Sequence, residues 1–184
     1  MADSLANHTR ASGRGIAEMG ITVALAFFLA FFSFAPFPTG GQISLDMLPI
    51  LVFALVRGHR WGCTAGVAYG FLHIIQEPII LHPVQVLLDY PLAFGALGLC
   101  GLPCFKEHTF LGLTVSMLSR YLMHVLSGVI FLDLFLTVGT EVNVYSPWLW
   151  SFSYNATFLI LPALCMYLLV PPLKHALSVY LNGK

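Results

Sequence analysis

Residues 82–104 read HPVQVLLDYPLAFGALGLCGLPC, an apolar run long enough to cross a bilayer with one carboxylate, Asp89, inside it. A charged side chain within a bilayer span costs roughly 2.5–3.5 kcal/mol on insertion scales, so it persists where it has a partner or a task. His82, Gln85 and Asp89 stand at i, i+3 and i+7, and a helix places all three on one face. Such a face can hold something polar from within the membrane, and the carboxylate favours a cation.

The same composition extends along the chain. Of 184 residues, 58% are hydrophobic and only 9% charged, which excludes a soluble domain. Backbone inside a bilayer must satisfy its own hydrogen bonds, and apolar runs of this length do so as helices rather than barrel strands. The expected fold is an all-α integral membrane protein, a bundle of six transmembrane helices at roughly 16–36, 43–57, 61–81, 83–104, 109–132 and 148–172. Residues 1–15 form a short polar tail on the cytoplasmic side, and 16–184 form a single membrane domain. The second span is the shortest. No internal repeat or inverted half is visible.

Loop charges orient the bundle. Arg10 and Arg14 precede the first span, Arg57 and Arg60 lie between the second and third, Lys106 between the fourth and fifth, and Lys174 and Lys184 follow the sixth. An even number of spans puts all of them on one side, which the positive-inside rule makes cytoplasmic, so both termini are expected there. Arg120 is the exception, inside span five. The opposite side carries Asp46, Glu77, Asp133 and Glu141, an acidic mouth that attracts cations. The formal net charge is zero, and no nucleic-acid partner is expected.

Other signals are bland. The first apolar run is long, its basic start is weak, and no clean small-residue cleavage site follows, so it is expected to stay as a span. Cys63, Cys100, Cys104 and Cys165 lie in or beside apolar segments with no ligand pattern for zinc, and no metal or cofactor is expected. Inner connections such as Arg57-Gly-His-Arg60 are too tight for a cytoplasmic catalytic domain. No HExxH motif or activated serine supports an intramembrane enzyme.

Helix rise brings the polar residues to one depth. With the spans oriented as above, Asp89 lies roughly 9 Å, His124 roughly 12 Å and Asn155 roughly 10 Å below the outer surface. Ser127 and Gly128 share the His124 face, and Gly128 leaves room for a ligand ring. Trp150 and Tyr154 offer aromatic surface on span six, and Tyr90 adds a ring beside Asp89. Each has another explanation: Asp89 pairing with Arg120, His124 and Asn155 bonding between helices, Trp148 and Trp150 in an interfacial belt. The coincidence of depth favours a binding site. A carrier that couples uptake to protons or another cation through Asp89, His124 and Arg120 is the alternative reading.

Four stretches carry a family resemblance: GGQISLDMLP at 40–49, HPVQVLLDYPLAF at 82–94, RYLMHVLSG at 120–128 and SFSYN at 151–155. They resemble the thiamin-specific S-components of energy-coupling factor (ECF) vitamin transporters, over nearly the whole chain. The resemblance implies a substrate-binding subunit of an ATP-driven importer in the bacterial cell membrane. It would bind thiamin near the outer face and deliver it inward with a membrane-embedded coupling subunit and two cytoplasmic ATPases. It implies ligand contacts at Asp89, His124 and Asn155, with Tyr69 in span three and Gln42 in the outer loop as further candidates. Small residues four apart on the first helix, here Ala26 and Ala30, would contact the coupling subunit. The chain departs from the family pattern at Leu132 and Trp150, where tryptophan and tyrosine are usual.

Overall fold

Runs that must satisfy their own backbone fold as helices, and helices are what this chain forms. The computed structural model describes residues 2–34, 43–137 and 146–182, with side chains described for 13–34, 43–136 and 146–179. Apart from one antiparallel bridge joining Phe34 and Ile43, every regular element among the described residues is helical. Helices α1 (Ala2–Ala30), α2 (Met47–Arg57) and α3 (His59–Gln76) come first. Gly58, at φ 92°, separates α2 from α3 by a single residue that a side chain would strain. The tail boundary expected at residue 15 rests mostly on side chains outside the described residues.

The fourth apolar run is where expectation and structure part. A regular helix over 83–104 was expected; instead α4 (Pro83–Leu87) passes into a π-helical turn at Leu88–Leu92, then α5 (Ala93–Ala96) and two 3₁₀ turns, Leu97–Gly101 and Pro103–Phe105. Pro91 is the cause at the wide turn, since it lacks an N–H and its ring crowds the preceding carbonyl. The chain then runs through α6 (Thr109–Ile130), the short α7 (Leu132–Thr137) and α8 (Pro147–Asn182). The 36 residues of α8 continue ten past the expected end at 172, through Pro162, Pro171 and Pro172. At 1.5 Å per residue α8 is about 54 Å long, against a hydrocarbon core of about 30 Å.

Among the described residues, four segments are long and apolar enough to cross a membrane: Gly13–Ala30, Pro83–Gly101, Thr109–Ile130 and Pro147–Val179. Helix α2 is apolar but short, and α3 carries His59, Arg60, His73 and Gln76. The outward surface is apolar, with Phe28, Phe32, Ile75 and Leu168 exposed, as a lipid-facing surface requires. The core joins Ile50, Leu51 and Ala54 of α2, Tyr69 of α3, Phe94 and Leu97 beyond the π turn, Leu113 of α6 and Met166 of α8. Ala26 and Ala30 are turned into the protein's own packing, Ala26 fully buried against this core, which corrects the expectation that they face a coupling subunit.

In lipid, helices associate through close packing rather than hydrophobic exclusion, and small residues permit it. Gly62, Gly66 and Gly70 form such a face on α3. A Cβ at Gly66 would lie 2.2 Å from the Phe94 carbonyl oxygen, and one at Gly70 would lie 2.7 Å from that of Tyr90. These contacts press α3 onto the broken fourth run. We expect Gly66→Ala to destabilise the protein by about 1–3 kcal/mol, because the obstacle is backbone. Gly20→Ala, which meets open space within α1, should not destabilise it. Thermal unfolding in detergent, followed by circular dichroism, checks both.

Candidate functional site

The π turn holds the carboxylate of Asp89 facing α6, with 15% of its side chain exposed. Three donors converge on it. His124 Nδ1 is 3.0 Å from Oδ1, while Ser127 Oγ (2.7 Å) and Gln85 Nε2 (2.8 Å) both donate to Oδ2. Gln85 and Asp89 are four apart on one face, and so are His124 and Gly128, with Ser127 between them. A carboxylate only accepts, so His124 Nδ1 carries the hydrogen between them, and a neutral ring would then present Nε2 as an acceptor. Asp89 and His124, expected at one depth, meet directly.

A second polar chain runs along α3. The Tyr69 hydroxyl donates to Asp46 Oδ2 (2.7 Å) and lies 3.2 Å from His73 Nδ1. The one hydroxyl hydrogen goes to the carboxylate, so His73 Nδ1–H donates to the Tyr69 oxygen and also approaches Gln76 Oε1 at 3.2 Å. His73 Nε2 stands 3.4 Å from Glu77 Oε2. Gln76 Nε2 in turn donates to the Phe27 carbonyl of α1 (2.8 Å). Non-helical backbone at residues 77–81 is satisfied from the fourth run: Tyr90 Oη donates to Glu77 O (2.5 Å) and accepts from Ile79 N–H (3.2 Å).

The two clusters line one cavity, about 950 Å³ with its open mouth included. Asp89, Tyr90, His124, Gly128, Trp150, Tyr154 and Asn155 all reach its wall. Trp150 and Tyr154 stack on each other, centroids 4.9 Å apart and 9° from parallel, and Tyr154 meets Phe158 edge-on. Asn155 turns its nitrogen back to Ser151, bonding the carbonyl (2.9 Å) and hydroxyl (3.2 Å). Its carboxamide oxygen is not used in those bonds.

Two expectations change in detail. Tyr69 is fully buried and off the cavity wall, where it supports Asp46 and His73 instead. Gly128 does more than leave space: a Cβ there would meet Ser151 Oγ at 2.3 Å, so it also lets α6 and α8 close. Gln42 lies outside the described residues, as does most of the outer loop. Leu132, at the departure from the family pattern, is buried.

Arg120 lines the cavity without pairing with Asp89. Its guanidinium lies 3.8 Å over the Phe94 ring, and Nε and Nη1 are buried with no hydrogen-bond partner among the described residues. Among the described residues no hydrogen bond links Arg120 to Asp89 or His124. Sequence reading makes Asp46 and Glu77 mouth charges and sets aside His73, which with His82 flanks Glu77, for its uneven spacing. The signal was present, since Tyr69, His73 and Glu77 recur every four residues on a helix otherwise poor in charge.

A family model described as "Thiamine transporter protein (Thia_YuaJ)" matches residues 16–181. The chain is 36% identical over 162 residues to "Thiamine transporter ThiT" of Bacillus subtilis (strain 168), covering 78% of this chain and 81% of that protein. It is 30% identical over 146 residues to the protein of the same name from Lacticaseibacillus paracasei, covering 68% and 73%. The solved structure of ThiT from Listeria monocytogenes superposes with a TM-score of 0.71 over 87% of this chain and 96% of that one, at 23% identity, and shows the shared fold.

Removing the Tyr69 hydroxyl tests the support assigned to it. Tyr69→Phe leaves a buried carboxylate short of a donor and should cost about 1–3 kcal/mol in unfolding free energy, read as a lowered thermal midpoint. An unchanged midpoint would show that Asp46 is satisfied otherwise.

Proposed function

This chain belongs to the thiamine transporter protein family, and from that premise we propose that it binds thiamin in the cavity beside Asp89. It is a multi-pass protein of the bacterial plasma membrane, in keeping with its apolar helices. The observation that carries the ligand proposal is the carboxylate of Asp89, held by Gln85, His124 and Ser127 on the wall of a cavity. Thiamin joins a permanently cationic thiazolium to an aminopyrimidine that both donates and accepts. Asp89 offsets the cation or accepts from the exocyclic amine, and His124 Nε2 and the Asn155 carboxamide pair with the pyrimidine edge. The stacked Trp150 and Tyr154 supply aromatic surface for the cation. An apolar pocket with a few convergent polar groups suits a ligand of this size. The unpaired N–H groups of Arg120 await an acceptor, which the ligand or ordered water supplies.

The finer reading is that of an ECF S-component: six spans with both termini cytoplasmic, no transport motor on this chain, and delivery through a coupling subunit and two ATPases. Loop charge and the tight inner connections support it. With Ala26 and Ala30 facing inward, the surface for the coupling subunit falls to the other side of α1, where Gly20 and Ala24 are exposed and four apart.

Thiamin titration of the purified chain, followed by tryptophan fluorescence, tests the ligand assignment. A saturable response is expected, weakened about 30-fold or more in Asp89→Asn, because a buried charged partner is worth roughly 2 kcal/mol or more. His124→Ala should weaken it less. No response in the unmodified protein would overturn the assignment. In vesicles, the chain alone under an ion gradient should take up no thiamin. Uptake without an ATPase would contradict the S-component reading.

A further inference from the structure

Gln85 is 1% exposed and lies at the join between the two polar clusters. Its carboxamide spends its bonds in two directions. Toward the turn at 77–81, Oε1 accepts from Leu81 N–H (3.1 Å) and Nε2 donates to Ile79 O (3.3 Å). Toward the site, Nε2 donates to Asp89 Oδ2 (2.8 Å). A primary amide is the side chain that does both, since one end accepts from backbone while the other donates twice. A carboxylate could not donate to Asp89, and an apolar residue would leave the turn and Asp89 each short of a partner.

The geometry points to Gln85 as a positioning residue: it fixes Asp89 from the turn and, through Asp89, holds His124 in the tautomer that presents Nε2 to the cavity. Ser127 is the second donor to the same oxygen and completes the hold. With Oδ2 occupied by Gln85 and Ser127, Oδ1 is left for His124, and the carboxylate plane has one orientation. Ile79 and Glu77 of the turn also line the cavity, so the contact ties the wall of the site to its charge. Gln85 reaches the cavity wall but is almost wholly buried, and the role assigned to it is exerted through Asp89. The inference deepens the thiamin proposal but does not need the ligand in order to be tested.

The test is ¹⁵N-histidine NMR of the unliganded protein in detergent, with the His124 signal identified by its loss in His124→Gln. In the unmodified protein His124 should report the Nδ1–H form. Gln85→Met should shift it toward a mixture of the two tautomers, and Ser127→Ala should shift it the same way. If Gln85→Met fails to fold, Gln85→Glu decides: it keeps the acceptor for Leu81 N–H, loses the donors and sets a second carboxylate beside Asp89, so the His124 signal should still move. A His124 signal unchanged in the folded Gln85 variant would overturn the inference and leave Gln85 as a prop for the turn. With thiamin added, Gln85→Met should bind at least tenfold more weakly. A shifted His124 signal in a protein that never binds thiamin would support the positioning role while overturning the ligand assignment.

Discussion

The carboxylate of Asp89, accepting from Gln85, His124 and Ser127 inside an apolar chain, is the interaction on which the site depends. An isolated charge at that place would be costly to bury, and burial of any charge is tolerated only with partners of good geometry. Here two donors occupy one oxygen and the imidazole the other. The carboxylate is thereby oriented, and the imidazole is oriented with it. One hydrogen-bond set produces both an anionic contact and an acceptor on the same wall.

That set exists because the fourth apolar run is broken. Pro91 opens a π turn that carries Asp89 and Tyr90 on a locally widened helix, and the glycines of α3 let its backbone come close enough to meet it. The non-helical backbone of the turn at 77–81 then needs hydrogen-bond partners. Tyr90 and Gln85 provide them from the same segment. Packing, backbone satisfaction and site geometry thus converge on about fifteen residues.

Much of this was legible in the sequence, for identifiable reasons. Helical segments and the shared depth of Asp89 and His124 follow from hydropathy and rise per residue, because a bilayer leaves the backbone few options. The break at Pro91 was visible as a proline, yet its form as a π turn depends on contacts with α3 that lie elsewhere in the chain. Tyr69 was read as a ligand contact, since an aromatic on a polar face looks alike whether it faces a cavity or a neighbouring carboxylate. Ala26 and Ala30 illustrate the same limit. Spacing defines a face of a helix, but burial decides whether that face meets the chain's own core. Arg120 was left between pairing and function, and the structure sets it over Phe94, apart from Asp89.

The most direct measurement is an experimental structure of the chain with thiamin bound. The account predicts ligand density in the cavity, with the aminopyrimidine or thiazolium within hydrogen-bond or contact distance of Asp89, His124 and Asn155, and with the Gln85–Asp89 contact intact. Thiamin bound away from Asp89, or a ligand-bound state in which Asp89 has left His124, would contradict it.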